Sequence, residues 1–130
     1  MDRFPPQEQP IIRVNAMPAD ANCYGDIFGG WLMGLMDMAA GSVASRRSRG
    51  RAATVAAETM TFHHPVQIGD EVSVYAEVTA IGRTSMKIAA EAWKRDRHGE
   101  VAVKVTEGRF TFVALDRDGS TRPVPEEVKQ

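Results

Sequence analysis

"FGGWLMGLMDMAAG" occupies Phe28–Gly41, and its reading decides the fold. Leu32, Leu35, Met36, Ala39 and, just beyond, Val43 recur at the i, i+3, i+4, i+7, i+11 spacing of an apolar helix stripe. The spacing predicts a helix from about Gly29 to about Ser45, then the basic connection "RRSRGR" with Gly50 as the break. One residue is out of keeping with its setting. Asp37 lies about 130° round the helix from the centre of the stripe, on a face with Met33, Gly34, Gly41 and Ala44. Each glycine costs the helix roughly 1 kcal/mol relative to Ala. That cost is tolerated where a second helix, another backbone or a ligand must come close. Asp37 therefore has two readings: a solvated or structural carboxylate, or a working one, since an apolar setting suits an idle charge poorly.

Before the helix, "IIRVNA" (Ile11–Ala16) reads as a short strand, and the Pro-, Asp-, Asn- and Gly-rich stretch after it as a long loop. The end of that loop, "NCYGDIFGG", offers Asn22 and Asp26 as polar side chains and Gly25, Gly29 and Gly30 as open backbone. Free N–H groups at a helix start can hold developing negative charge. Asp26 can equally be an ordinary cap. A helix N-terminus with a carboxylate two turns along suggests hydrolysis of an acyl compound: one end holds a carbonyl oxygen, the other a water.

After the helix the period becomes two. Strands are expected over Ala53–Phe62, Glu71–Ile81 and Ser85–Trp93, with a last one running from Val101 to Ala114. In the last, the apolar set switches parity across Thr106–Gly108, which places a β-bulge at Gly108. Short turns imply antiparallel neighbours. The class is α+β, one sheet with one helix on it, and the uncovered edges call for an oligomer.

The 130 residues suit one domain, and 43 % hydrophobic with 25 % charged residues fits a globular chain. A net charge of −1 gives no reason to expect nucleic acid or a membrane surface as partner. No stretch reads as a signal peptide or a bilayer span. Cys23 is the single cysteine, so no intrachain disulfide forms, and a reducing, cytoplasmic location is expected.

Met17–Gly41, "MPADANCYGDIFGGWLMGLMDMAAG", resembles the signature of hotdog-fold acyl-CoA thioesterases of the cytoplasmic acyl-CoA hydrolase family. "TVAAETMTFHHPVQIGD" (Thr54–Asp70), "IGRTSMKI" (Ile81–Ile88) and "FTFVALD" (Phe110–Asp116) resemble the same family in the same order. The resemblance implies a hotdog domain over residues 11–125, between an N-terminal tail (1–10) and a C-terminal tail (126–130). It implies an antiparallel sheet wrapped around one central helix, with a homodimer as the active unit and a trimer of dimers as the assembly. The substrate would be acyl-CoA, with no cofactor and no metal. Asp37 would be the catalytic carboxylate, as general base or as nucleophile. Asp26, which is Asn in some relatives, would contribute from the facing subunit. Backbone N–H groups near Gly29 and Gly30 would polarise the carbonyl. Asn22, Phe28, Met33 and Thr59 would line the substrate, and the turn Gly82, Arg83, Thr84 and Ser85 would contact the CoA nucleotide, with Arg83 on phosphate.

Arg46, Arg47, Arg49 and Arg51 read as a solvated loop, with Arg51 the choice for a CoA phosphate contact. His63 and His64 should point to opposite faces of a strand end and cannot chelate together, so they read as structural. Cys23 has no activating partner in the sequence and reads as inert. Two other functions compete. A dehydratase on this fold wants a His paired with an acid, and Met17–Gly30 has no His. A non-enzymatic acyl-CoA binding or sensing protein would have no use for Asp37.

Overall fold

The computed structural model describes residues 4–127. The elements are β1 (Ile12–Asn15), a 3-10 turn (Pro18–Asp20), α1 (Gly29–Ser48), β2 (Ala52–Phe62), β3 (Glu71–Ile81), β4 (Ser85–Arg95) and β5 (Ala102–Ala114). The five strands form one antiparallel sheet in the order β1-β3-β4-β5-β2, curled against the single helix, as the resemblance implies. Residues 1–3 of the expected N-terminal tail and 128–130 of the C-terminal one lie outside the described residues.

The helix buries Leu32, Met36, Ala39, Ala40, Ala44 and Ser48, while Leu35 and Val43 are only half-buried. The buried face is thus rotated from the expected stripe toward Asp37. Small residues allow it: Ala40 and Ala44 admit the sheet closely, and a Cβ on Gly41 would sit 3.4 Å from the Phe112 ring. Gly41 thus lies at contact distance from the sheet, and Asp37 stands half-buried at the margin of the face rather than turned away from the sheet.

Helix α1 ends at Arg49 in the left-handed region, φ 55°, and not at Gly50. Gly50 makes room for Arg122: a Cβ there would lie 2.6 Å from its guanidinium, which would have to shift. That guanidinium donates to Ser48 O (2.9 Å), Leu115 O (2.8 Å) and Arg51 O (3.5 Å). It satisfies an orphan carbonyl of the helix end and ties α1 to the strand ends. Arg47 donates to Pro125 O (2.6 Å), Arg49 to Glu126 O (3.3 Å), and Val124 N–H to Arg83 O (2.9 Å). The segment up to Glu126 is thus held against the helix end by hydrogen bonds.

The turns between β3 and β4 and between β4 and β5 make hairpins, as expected. β2 and β3 are not neighbours. Their link, His63–Asp70, is no tight turn; it passes the helix N-terminus, where Ile27 N–H donates to Val66 O (3.1 Å). β1 pairs with the edge of β3, and β2 pairs with β5 at the opposite side of the sheet. The bulge on β5 falls at Val105, between the pairs Thr106–Ala92 and Lys104–Trp93, and not at Gly108. Gly108 stays in register with Ala90. It faces a bulge on β2, where a Cβ on Gly108 would come within 2.9 Å of Met60 Cε. The outer face of the sheet also has buried residues, Tyr75 and Trp93, the latter donating its indole N–H to Glu91 (3.2 Å). Pro6 and Glu8 lie against this face with Tyr75.

Candidate active site

Asp37 Oδ1 accepts a hydrogen bond from Thr54 Oγ1 at 2.6 Å, a distance typical of a strong O–H···O⁻ bond. Helix α1 presents the carboxylate and edge strand β2 the hydroxyl. Thr54 was not among the residues singled out in the sequence. It is one of several threonines on a strand, and only the packing of β2 beside α1 distinguishes it. Around Asp37, Met33 is exposed and a Cβ on Gly34 would meet nothing within 4 Å. The carboxylate is held on one side and accessible on the other.

At the helix start, Asn22 Oδ1 accepts from Tyr24 N–H (2.9 Å) and Asp26 N–H (3.1 Å), so this side chain folds its own loop. Phe28 is anchored by its N–H to Asp20 O (3.2 Å), with its ring exposed. Among the described residues no side chain caps the helix. Asp26 instead accepts from Gln67 Nε2 at 3.4 Å. Among the described residues nothing accepts from the Gly29 or Gly30 N–H. Two preset donors therefore point out of a helix N-terminus.

These donors and Asp37 do not converge within one protomer. Gly29 and Asp37 are eight residues apart, about 12 Å along the helix axis at 1.5 Å per residue. A nucleophile must come within about 3–3.5 Å of the carbon it attacks. The expected pairing of a carbonyl at one end with a water at the other thus fails inside a single chain.

The remaining candidates are spread further. The Gly82–Ser85 turn closes with Gly82 N–H on Ser85 O (2.8 Å), and a Cβ on Gly82 would lie 2.6 Å from Ser85 Oγ. Thr84 O accepts from Ala114 N–H (2.9 Å) and Arg51 O from Leu115 N–H (2.8 Å), which puts this turn and Arg51 together near the C-terminal end of α1. Arg83 is exposed there. The Arg51 guanidinium donates to Arg117 O (3.1 Å). With Arg47 and Arg49 similarly engaged, the basic cluster is largely a clasp on the C-terminal segment and not a solvated loop. Thr59, at φ 43° in the β2 bulge, lines a concavity of about 730 Å³ on the outer face of the sheet with Glu58, Tyr75 and Glu91, away from the helix.

His63 and His64 both border a cavity of about 330 Å³ beside Gly29 and Leu32. Cys23 is exposed. Asp118 has its carboxyl held below the usual range by the Ser120 N–H, in a turn outside the site. Among the described residues no cluster of three His, Cys, Asp or Glu could hold a metal ion, and no helix is long and apolar enough to cross a membrane.

Residues 24–101 match the model of the thioesterase superfamily. An uncharacterized acyl-CoA thioester hydrolase of Zymomonas mobilis is 54 % identical over 120 residues, covering 92 % of this chain and 80 % of that protein. The acyl-CoA thioester hydrolase YciA of Escherichia coli is 43 % identical over 125 residues, covering 94 % and 95 %. The crystal structure of a hexameric thioesterase from Yersinia pestis superposes with a TM-score of 0.88 at 41 % identity, covering 93 % of this chain and 98 % of that one.

Proposed function

This chain belongs to the thioesterase superfamily, and from that membership we propose that it hydrolyses acyl-CoA thioesters to a free carboxylic acid and CoA. The observation that carries the mechanism is the Thr54–Asp37 hydrogen bond on a carboxylate that is otherwise accessible. Asp37 acts as general base, taking a proton from a water that attacks the thioester carbonyl carbon. The carbonyl oxygen, negative in the tetrahedral intermediate, is held by the Gly29 and Gly30 N–H groups. Collapse of the intermediate breaks the C–S bond, and the proton held by Asp37 goes to the departing CoA sulfur. In the other form of the reaction Asp37 attacks the carbonyl itself, and water hydrolyses the resulting anhydride.

The separation along α1 supports a site built from two chains. A homodimer formed through the free edge of β2 would supply them: Asp37 and Thr54 from one protomer, Gly29, Gly30 and Asp26 from the other. The exposed Val55, Phe62, Met33 and Phe28 around that edge support such a contact. Three such dimers would make the hexamer that the Yersinia pestis relative forms. Arg83 and Arg51, toward the C-terminal end of α1, suit the phosphates of CoA, while Asn22, Phe28 and Met33 flank the reacting end. The working domain is residues 11–125, no cofactor takes part, and the exposed thiol of Cys23 suits the reducing cytoplasm.

The test is CoA release from acyl-CoAs of short to long chain by the wild type and by Asp37→Ala, each checked for fold and assembly. Hydrolysis by the wild type that falls at least about 100-fold in the variant supports the reading. Equal rates would remove Asp37 from the mechanism. Binding of CoA with no release at any chain length would make this an acyl-CoA binding protein.

A further inference from the structure

We propose that the cavity at the N-terminal end of α1 takes the acyl chain, and that Phe62 and Val66 set the chain length accepted. The proposal rests on the reading that the Gly29 N–H holds the thioester carbonyl. The cavity measures about 330 Å³, at the lower end of the roughly 300–1,000 Å³ range for small-molecule sites. Gly29 forms part of its wall, so a carbonyl oxygen held on that N–H leaves the first acyl carbons at the cavity mouth. Beyond the mouth the walls are Phe28, Leu32, Phe62, Val66 and Val105, with His63 and His64 as the other polar-bearing lining.

Two other concavities among the described residues do not suit an acyl chain. The outer face of the sheet is lined by Glu58, Glu77, Glu91, Glu107 and Lys104. The cavity by the helix C-terminus is lined by Arg46, Arg47, Arg49, Glu126 and Glu127. The apolar cavity also lies at the opposite end of α1 from Arg51 and Arg83, so the acyl chain and the CoA phosphates leave the carbonyl in different directions.

Two side chains limit the space open to the chain. The Phe62 ring lies about 3.5 Å from where a Gly29 Cβ would be, closing the side nearest the carbonyl. Val66 is buried and pinned by its carbonyl to Ile27 N–H, so that wall does not yield readily. Each methylene taken from water into such a site should raise affinity roughly four-fold until the chain meets the wall.

The experiment measures kcat/KM for butyryl- to palmitoyl-CoA with wild type, Phe62→Ala, Phe62→Trp and Val66→Phe, after a thermal melt of each variant. Phe62 is 43 % exposed in the protomer, so its variants should fold even where Val66→Phe does not; because Phe62 also stands at the proposed dimer edge, each variant is checked for assembly, and only assembled protein is scored. In Phe62→Trp the ratio of long-chain to butyryl kcat/KM should fall about ten-fold or more. In Phe62→Ala the optimum should move to longer chains. Profiles of both Phe62 variants that run parallel to wild type would overturn the proposal. Should wild type hydrolyse no acyl-CoA, the function reading fails separately. The cavity is then tested by calorimetry with S-alkyl-CoA thioethers, where an equal gain per methylene in wild type and Phe62→Trp would reject it.

Discussion

Thr54 Oγ1 donates to Asp37 Oδ1 at 2.6 Å, joining the edge strand of the sheet to the middle of the helix it wraps. The bond leaves one face of the carboxylate accessible and fixes its rotamer. In the proposed mechanism Thr54 is a positioning residue. Thr54→Val should lower kcat about ten-fold, with KM and melting temperature little changed. Thr54→Ser should restore the rate. A variant that changes KM alone, or is not rescued by Ser, would argue for a packing role only.

Asp37→Asn keeps the shape of the side chain and removes its capacity as a base. Its kcat should fall at least about 100-fold, with the thermal transition unchanged. Steady-state rates and circular dichroism on the same preparation check both parts.

Gly29→Pro isolates the N–H. Gly29 is the first helical residue, where proline is well accommodated, and Phe28 before it already has φ −59°, ψ 133°. The substituted chain should fold with equal or slightly greater stability, by about 0.4–1 kcal/mol, yet lose about 10²–10³ in kcat. An active Gly29→Pro protein would show that this N–H does not hold the carbonyl.

Neither Gly29→Pro nor Asp37→Ala should be active alone, but co-assembled they should recover activity. A mixed dimer carries one site with both defects and one with neither. Denaturing the two variants together, refolding them and assaying CoA release tests whether two chains build each site. No recovery, with mixed dimers verified by native mass spectrometry, would place the whole site in one chain.

Arg122→Ala should destabilise the fold by about 1.5–3 kcal/mol, since it removes part-buried, charge-assisted contacts to the helix end. Arg122→Lys should recover little of that, because one ammonium cannot span the carbonyls that the planar guanidinium bridges. Urea unfolding midpoints distinguish the two outcomes.

Much of this architecture is legible locally. The change of period from 3.6 to 2 marks the helix and the strands, and the short turns after β3 and β4 dictate hairpins. Asp37 stands out because a carboxylate on a Gly- and Ala-rich helix is anomalous wherever the helix goes. The basic run Arg46–Arg51 is equally visible, but its role is not. The partners of Arg47, Arg49 and Arg51 are backbone carbonyls of residues 117–126, and no side-chain pattern announces a carbonyl.

The sequence by itself determined the elements, their order and the one carboxylate out of keeping with its helix, because these follow from side-chain period, turn residues and composition within a few positions. Tertiary structure alone decided that β2 leaves β3 to pair with β5 across 50 or so residues of chain. That crossing set Thr54 against Asp37 and made β2 an edge strand. Such pairings are selected by how the whole sheet closes on the helix, where burying Met36, Ala40 and Phe112 outweighs any local preference.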